Sequence, residues 1–330
     1  LIFTILITTL LILLTATIAM ANYNTQLPAD HSQVNTWFNN NVKPYTARNG
    51  TLDSTLAMAE ASQKVIKVNK DGRGQFKTIA DAVNSNPVGN TKRVIVYIGG
   101  VYNEKITIPQ NKPFVTFYGS PTTMSTLTFA GTAQKYGTVD STTVIAESDY
   151  FVAAITLLLR YNSSPRPDGK RVGEQALALR VSSNKSALFN CRLIGFQDTL
   201  CDDRGNHFFK DCFIEGTLHV LGNNEMTVIT AQARDSTSED TGDSFVHCNI
   251  TEIGNGTYLG KVWRTSPRVV FAYTSITVFY GEYKCSSPGS SMVERVKYAK
   301  QLTGEQIKPF LSLDYIQGSK WLLPPPNPKV

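Results

Sequence analysis

The sequence predicts an all-β solenoid, and three observations lead to that fold class. First, cysteines recur in a shared local frame, and the spacing from Cys191 to Cys212 falls in the usual range of a solenoid repeat, roughly 20 to 25 residues. Second, short segments rich in β-branched and aromatic residues alternate with Gly, Pro, Asn and Asp. Third, long runs with helical periodicity are scarce. The clearest predicted strands are residues 93–98, 114–118, 177–181, 226–230 and 268–273.

The N-terminal segment reads as a leader. Residues 1–21 carry no charged side chain and end in the small-residue pattern Ala19-Met20-Ala21. This predicts a signal peptide that is cleaved before Asn22, and hence a secreted, extracellular protein; a transmembrane anchor is the alternative. Five N-x-[ST] sequons fit the same route and predict a glycoprotein. They begin at Asn49, Asn162, Asn184, Asn249 and Asn255.

The rest of the chain is predicted to form an N-terminal extension, residues 22–60, and one solenoid domain, residues 61–330. Helical periodicity occurs at residues 76–84, directly after the turn-forming run Asp71-Gly72-Arg73-Gly74. It predicts a short helix that caps the open N-terminal end of the core. The Pro-rich end, residues 322–328, is expected to lie on the solenoid as an extended tail.

The formal net charge of the chain is +6. A basic secreted protein adheres to polyanions, although the same charge can serve solubility alone. Export and the lack of a basic cluster argue against nucleic acid as a partner.

The chain has five cysteines, an odd number. At least one thiol must therefore be free, and the pairing of the others cannot be assigned from sequence. The local frame shared by Cys191, Cys212 and Cys248 predicts stacked positions on successive coils rather than a disulfide-rich scaffold.

One candidate site rests on polar residues about one coil apart. Gln175 and Asp198 are separated by one such repeat, and strands of neighbouring coils lie roughly 4.8 Å apart. Gln197 precedes Asp198, so both side chains reach one site only if the chain bends near Gly195 or Thr199. An aspartate beside amides could act as a general acid while the amides donate to an oxyanion. The alternative is a surface ladder of Asn and Asp side chains.

Several co-linear blocks carry a resemblance that spans nearly the whole mature chain. They are residues 71–79, 100–104, 173–180, 195–200, 210–217, 230–234, 258–260 with Trp263, and 279–285. Together they resemble the plant pectin methylesterase (pectinesterase) family, in particular its short, pollen-type members without an inhibitor-like pro-region. The resemblance implies a right-handed parallel β-helix, the pectin lyase-like solenoid, and hydrolysis of the C6 methyl esters of homogalacturonan with no metal or other cofactor. It also implies a monomer in the plant cell wall whose partners are pectin and a proteinaceous pectinesterase inhibitor.

The resemblance assigns catalytic roles residue by residue. Asp198 matches the general acid and base of the family, and Gln175 and Gln197 match the two glutamines that stabilise the oxyanion. Asp198 would then lie buried beside an apolar wall, where a raised pKa would let it donate a proton to methanol.

The resemblance also assigns substrate contacts. Thr138 matches a substrate-binding residue, and Trp263 matches a residue that stacks on sugar. Lys261 stands where the family has an arginine. A lysine keeps the positive charge but lacks the planar fork that grips a carboxylate.

The chain departs from the family pattern after Gly216-Thr217. There the family continues with the nucleophilic aspartate and Phe-Ile-Phe-Gly, whereas this chain continues with Leu218-His219-Val220. The favoured interpretation is a deletion of roughly 15 to 20 residues, close to one coil, near residues 217–218. The rival interpretation is a substitution that puts His219 at the position of the nucleophile. In both cases no carboxylate occupies the attacking position, so covalent catalysis is impaired.

A second departure lies near residues 277–278. The family carries a loop there with a Pro-x-Gly-Trp motif, whose tryptophan lines the sugar groove. That loop is absent from this chain, which predicts a second internal deletion.

Three functions follow from these observations. The first is an impaired pectinesterase, and the alternative is a catalytically inactive pectin-binding protein. A pectate lyase ranks last, because the sequence shows no cluster of acidic calcium ligands beside a catalytic arginine. His207, His219 and His247 lack metal-ligand spacing, and Glu104 is predicted to be structural, at a turn near the cap.

Overall fold

The computed structural model describes residues 26–48, 50–122, 124–161, 173, 175–195, 197–216, 219–221, 224–251, 257–276, 282–283, 285 and 299–328. The predicted signal peptide and the sequons at Asn49, Asn162 and Asn255 lie outside these residues. The described chain forms two compact units. The larger unit comprises residues 44–225 and 320–330, and the smaller unit comprises residues 26–43 and 226–319.

Short strands dominate the described chain. The first eleven are β1 (Lys64–Val68), β2 (Val94–Ile98), β3 (Val101–Asn103), β4 (Ile106–Ile108), β5 (Val115–Gly119), β6 (Ser125–Phe129), β7 (Val144–Ala146), β8 (Val152–Tyr161), β9 (Leu179–Val181), β10 (Ser186–Ile194) and β11 (Leu200–Asp202). They are followed by β12 (His207–Lys210), β13 (Phe213–Glu215), β14 (His219–Leu221), β15 (Asn224–Gln232), β16 (Asp243–Val246), β17 (Asn249–Ile250), β18 (Thr257–Val262), β19 (Val269–Ala272), β20 (Ser275–Ile276) and β21 (Glu282–Tyr283). Each of the five segments predicted as strands overlaps one of these strands.

The helices of the described residues are short. The α-helices are Val34–Asn41, Ser54–Ala61, Ile79–Asn84, Ala133–Tyr136, Gly304–Ile307 and Gly318–Trp321. The 3₁₀ turns are His31–Gln33, Tyr45–Ala47, Val139–Ser141, Lys308–Leu311 and Leu313–Ile316. No helix in the described part of the chain is both long and apolar enough to cross a lipid bilayer.

The larger unit is built from parallel ladders that pair one coil with the next. One ladder runs in the order β1-β2-β5-β8-β10-β12, and a second runs in the order β4-β7-β9-β11. Val94 pairs with Val115 and Ser186 pairs with His207, so these two coils have the same period that separates Cys191 from Cys212. Thr116 pairs with Val152, which makes that coil considerably longer. Extra residues therefore leave the ladder as loops without breaking its register.

The core of the larger unit follows from the alternation of side chains along each strand. Ile66, Val96, Phe117, Ala153 and Leu188 pair in register across five strands and point inward, and all are at most 1% exposed. They belong to one continuous apolar cluster that reaches from the first coil to β10. The stacked coils thus bury a continuous core column.

Turns stack as well as strands. Phe114, Tyr150 and Lys185 each precede a strand and share a left-handed backbone, with φ between 59° and 65°. The rings of Phe114 and Tyr150 stack at 4.9 Å, and Lys185 Nζ lies 5.1 Å from the Tyr150 ring centroid. Asp53 accepts hydrogen bonds from Lys185 Nζ and from the Tyr150 hydroxyl at 2.6 and 2.9 Å. The repeated turn thus forms a column of rings and charges that stabilises the coil edge.

The predicted stacking of cysteines is present in the larger unit. Arg192 pairs with Phe213, which puts Cys191 and Cys212 opposite each other on neighbouring coils. The hydrogen bond between the two thiols, together with burial, raises the pKa of Cys191. No two of the five cysteines form a disulfide bond in the structure.

The predicted cap helix is present but begins later than expected. The prediction covers residues 76–84, whereas the helix spans Ile79–Asn84. Thr78 ends the preceding extended segment and accepts a hydrogen bond from Asp81 N, which fixes the start of the helix. The Glu104 carboxylate accepts from Ile79 N and Ala80 N at 3.3 and 3.1 Å. Glu104 therefore has the structural role expected for it.

The outer face of the main sheet carries small and medium side chains, which leave a cleft. Ile95, Thr116, Val152 and Ala187 pair in register on that face. A cleft of about 280 Å³ lies over the last three and is bordered by the Pro-rich tail. The tail forms no helix or strand between residues 322 and 328, and it lies against the larger unit, where the Leu322 carbonyl accepts a hydrogen bond from Arg48.

The smaller unit also pairs its strands in parallel. Thr227 pairs with Thr257 and Asp243 with Val269, so these coils are somewhat longer than the shortest coils of the larger unit. By contrast, β19 pairs with β21 across a much shorter step, from Phe271 to Glu282. Among the described residues of this unit, two apolar clusters of four buried residues each lie on opposite faces of β19.

Candidate functional site

Three neighbouring segments of the larger unit lie side by side where the predicted catalytic residues occur. Leu179 and Leu200 pair in parallel, and Val144 pairs with Leu179 on the other side. The segment that carries Gln175 is therefore flanked by the segment that carries Asp198 and by the segment that follows Thr138. The structure brings these parts of the chain onto consecutive coils.

The chain bends between Gly195 and Thr199, as the sequence required. The strand β10 ends at Ile194, and Asp198 has a left-handed backbone with φ of 58°. Gly195 lies so close to Thr199 that a Cβ at residue 195 would lie 2.5 Å from the Thr199 hydroxyl. That hydroxyl donates to the Glu215 carbonyl at 3.0 Å. The turn breaks the strand alternation that would otherwise point Gln197 and Asp198 to opposite faces.

The register refines the expected meeting of Gln175 and Asp198. Leu179 pairs with Leu200. The sequence separation of these two residues is two positions shorter than the separation between Gln175 and Asp198. The pairing itself begins at Leu179 and Leu200, and Asp198 lies in the turn before β11, so the register places the two segments side by side without setting Gln175 directly opposite Asp198.

The expected burial of Asp198 is wrong, because its side chain is exposed in the structure. The physical reason lies in the ladder: β11, which follows Asp198, pairs with β9 on one side only among the described strands. An exposed carboxylate is well solvated and lacks the desolvation that would favour its protonated form.

Gln175 is half-buried and is held by its backbone. Its carbonyl oxygen accepts a hydrogen bond from Ala133 N at 2.8 Å. Its side-chain Oε1 is buried and has no hydrogen-bond partner within the described part of the chain. A buried amide with an unsatisfied end is a group that a ligand can engage.

Thr138 lies on a loop that is tied to the Gln175 segment at both ends. We call residues 132–143 the Thr138 loop. At its start Gln134 N donates to the Gly173 carbonyl at 2.7 Å, and at its end Thr143 N donates to the Leu177 carbonyl at 3.0 Å. Thr138 itself is exposed near the middle of the loop. The structure therefore places Thr138 beside the segment of Gln175.

Lys261 and Trp263 belong to the smaller unit. Lys261 lies in β18, and its side chain is outside the described residues. Trp263 follows β18 directly and is 59% exposed. An exposed indole is suited to stacking on a sugar, and the roles of both residues stay predictions.

A charged network at the ends of β9 and β11 was not foreseen from the sequence. Arg180 and the Ser182 hydroxyl donate to the Asp203 carboxylate at 2.9 and 2.6 Å. Burial acts to raise the pKa of Asp203, but these hydrogen bonds outweigh it and the pKa is lowered. Burial and the charge of Asp203 raise the pKa of Cys201 to about 11, so this thiol is a poor nucleophile at neutral pH.

Sequence reasoning also missed the aromatic and basic residues of the Thr138 loop. Tyr136 is 37% exposed, and both Lys105 and Lys135 place their Nζ atoms near its ring. Lys105 is far from Tyr136 in the sequence, so only the fold reveals this cluster. No group of three or more His, Cys, Asp or Glu side chains suited to hold a metal ion occurs among the described residues.

Comparison with known proteins gives consistent results. The family model described as Pectinesterase matches residues 65–226. Pectinesterase 2 of Olea europaea is 44% identical, with 95% of each chain covered. That alignment runs over 350 positions, which is more than the 330 residues of this whole chain, so a substantial set of positions in the relative faces no residue here.

Solved structures share the fold. Pectin methylesterase from carrot has a TM-score of 0.68 and is 26% identical, covering 78% of this chain and 94% of its own. A pectin methylesterase in complex with a hexasaccharide has a TM-score of 0.63 at 22% identity, with 80% of this chain and 99% of that chain covered. The expected right-handed parallel β-helix is confirmed. With a relative 44% identical over almost its entire length, this chain belongs to the pectinesterase family, whose members are carboxylic ester hydrolases.

Proposed function

We propose that this chain is a secreted pectinesterase that acts on methyl-esterified homogalacturonan of the plant cell wall, and that at its present length it turns substrate over slowly. The observation that carries the proposal is the arrangement of three consecutive segments, with Gln175 between the Thr138 loop and the Gln197–Asp198 turn. The basic net charge of +6 suits an acidic polysaccharide. The hexasaccharide complex of the structural relative supports a sugar polymer as the ligand.

The chemistry proposed for these residues is ester hydrolysis. The amide groups of Gln175 and Gln197 donate hydrogen bonds to the oxyanion that forms when the ester carbonyl is attacked. Asp198 gives a proton to the departing methanol and takes one from the attacking water. The ester and water thus become a carboxylate and methanol. Without a carboxylate nucleophile the reaction has no covalent intermediate and relies on water, which is slower.

Two features of the ladders support missing coil segments. In the larger unit Ile214 stacks in register on Leu193, yet Ile214 is 46% exposed while Leu193 is fully buried. An inward-stacked residue is exposed in this way when no further coil covers it. In the smaller unit the step from Phe271 to Glu282 is shorter than the dozen or more residues that a parallel crossover normally needs.

The two predicted deletions account for these features. The alignment positions that face no residue in this chain are of the number expected for two missing segments of roughly one short coil each. The junctions themselves, near residues 217–218 and 277–278, lie outside the described residues. Sequencing the transcript across both junctions would show whether longer forms of the message exist.

A second candidate function is pectin binding without turnover. It is favoured by the exposure of Asp198, which differs from the buried position that the family resemblance implies for the general acid. The exposed Trp263 offers a stacking surface that needs no catalytic group. Both functions predict binding of pectin, and they differ in the release of methanol.

Methanol release from methylated pectin, measured beside the carrot enzyme, tests the proposal. We expect a rate at least about a thousandfold lower for this chain, because the attacking group is missing. Asp198→Asn should abolish the residual rate. Asp211→Asn is the matched control, since Asp211 is exposed and has the same left-handed backbone, with φ of 56°.

Each outcome decides between the functions. A rate equal to that of the carrot enzyme would contradict the impairment. Binding of pectin with no methanol release above the Asp198→Asn background would establish the binding protein. Failure to bind pectin at all, by a chain with an intact fold, would overturn both functions.

A further inference from the structure

An exposed tyrosine on the Thr138 loop is flanked by two lysines. Lys105 Nζ lies 5.2 Å and Lys135 Nζ 5.1 Å from the centroid of the Tyr136 ring. The ring is supported from within by Phe129, whose centroid is 5.6 Å away with the planes tilted by 54°. Tyr136 is 37% exposed, so part of its surface remains open to solvent. We call Lys105, Lys135 and Tyr136 the Tyr136 platform.

Among the described residues, no carboxylate neutralises the positive charge of the platform. Neither Lys105 nor Lys135 forms an ion pair with any residue that the structure describes, in contrast to Lys185, whose Nζ lies 2.6 Å from Asp53. Glu104, next to Lys105 in sequence, uses both carboxylate oxygens to cap the helix Ile79–Asn84. The platform therefore presents two ammonium groups that an anionic ligand can bind.

The platform is rigidly placed next to the candidate site. Tyr136 N donates to the Thr132 carbonyl at 3.0 Å, and the adjoining Ala133 N donates to the Gln175 carbonyl at 2.8 Å. Three residues of a helical turn rise only about 4.5 Å, so the tyrosine lies close to the segment that carries Gln175. Ser141 Oγ donates to the Thr138 carbonyl at 2.6 Å and closes the loop behind it. A polymer that places an ester at Gln175 can thus reach the platform with a nearby sugar.

We propose that the Tyr136 platform is a binding subsite for a galacturonate unit that carries a free carboxylate. The carboxylate of the sugar accepts hydrogen bonds from the two ammonium groups that lie over the Tyr136 ring, and the C–H groups of the sugar contact the exposed part of the tyrosine side chain. A methyl-esterified unit gains the packing but loses the charge attraction. The subsite therefore makes the protein favour partly de-esterified chains over fully esterified ones. This inference rests on the proposed function, since it takes homogalacturonan as the ligand.

Calorimetric titration with two hexameric oligogalacturonides, one without methyl groups and one fully methylated, tests the subsite. The intact chain should bind the unmethylated hexamer more tightly. In the double variant Lys105→Gln with Lys135→Gln, affinity for that hexamer should fall about fivefold to tenfold, as for the loss of exposed ion pairs. Affinity for the methylated hexamer should stay within about twofold of the intact chain. Added salt should narrow the difference between the ligands, because it screens exposed charges.

Two further variants control the experiment. Lys64→Gln removes an exposed lysine of β1, which lies over no aromatic ring among the described residues, and should leave both affinities unchanged. Tyr136→Ala should weaken the binding of both hexamers, because it removes the ring. Tyr136→Phe keeps the ring and should retain both affinities. Equal losses for both hexamers in the double lysine variant, or no loss, would overturn the subsite. Absence of binding to either hexamer by the intact chain would instead overturn the proposed function.

Discussion

The two compact units use the same parallel pairing but differ in how continuous their cores are. In the larger unit one apolar cluster runs from the first coil to β10, and coils of quite different length keep their register. Among the described residues of the smaller unit, two small apolar clusters lie on opposite faces of β19, with Phe271 in one and Val270 and Ala272 in the other. One coil step there, from Phe271 to Glu282, is less than half as long as its neighbours. A β-helix tolerates added residues as loops, whereas a short coil offers fewer residues to bury between two positions of the ladder. We therefore expect substitutions to lower the free energy of unfolding more in the larger unit than in the smaller one.

Removal of an ion pair should give the largest difference between the two units in the free energy of unfolding. Arg93 and Glu60 in the larger unit pair at 2.7 Å with side chains only 5% and 9% exposed. Glu60→Ala would leave the guanidinium buried without its counter-charge, and we expect a loss of about 3 to 5 kcal/mol in the free energy of unfolding. Denaturant titration of the purified chain measures this loss.

A matched pair in the smaller unit provides the control. Arg264 and Asp235 pair at 2.8 Å, but both side chains are 53% exposed. Asp235→Ala should therefore cost less than about 1 kcal/mol. Equal losses in the free energy of unfolding for the two substitutions would contradict the prediction that the buried ion pair contributes more to stability than the exposed one.

Removal of a helix cap should give a smaller difference between the two units in the free energy of unfolding. Thr78 caps the helix that closes the end of the continuous core, and its hydroxyl accepts from Asp81 N at 3.1 Å. Thr78→Ala should cost about 1 kcal/mol. Thr303 forms a capping box with Gln306 on a single-turn helix in the smaller unit, and Thr303→Ala should cost no more than about half as much.

Hydrogen exchange resolves the two caps, because it reports on each helix separately. Thr78→Ala should speed exchange throughout the first coil, whereas Thr303→Ala should speed it only in its own short helix. Exchange that spreads equally far from both sites would contradict the difference in cooperativity between the units.

Sequence reasoning succeeded where local patterns decide the structure. β-branched runs located the strands, and the cysteine frame gave the period of the shortest coils of the larger unit. The strand alternation required the bend that Gly195 and Asp198 make. Sequence reasoning failed where the exposure or the contacts of a side chain depend on the neighbouring coil. The exposure of Asp198 depends on what covers β11, and the Tyr136 platform joins residues far apart in sequence through a ladder whose loop lengths vary. Those properties arise from long-range packing, which a single sequence does not encode in any local window.

The smallest expected effect is a pH dependence confined to the larger unit. His207 has a side chain only 3% exposed and hydrogen-bonds to Asp202 through Nδ1 and to the Ser183 carbonyl through Nε2 at 2.6 Å. Burial acts to lower the pKa of His207, but the hydrogen bond to Asp202 outweighs it and the pKa is raised above 6.5. The folded state therefore holds the proton more tightly than the unfolded state does.

The sign of the effect follows from that shift. The stabilisation is fully present below pH 6.5 and is lost as the pH rises through the raised pKa of His207. The intact chain should therefore lose free energy of unfolding between about pH 6 and pH 8 relative to His207→Gln, which lacks this titration. Asp202→Asn should remove most of the dependence while keeping the histidine, because it deletes the charge that raises the pKa. A stability difference that grows with rising pH would mean that the fold favours neutral His207, and the coil edge at Ser183 would then be held by a neutral imidazole rather than a charged one.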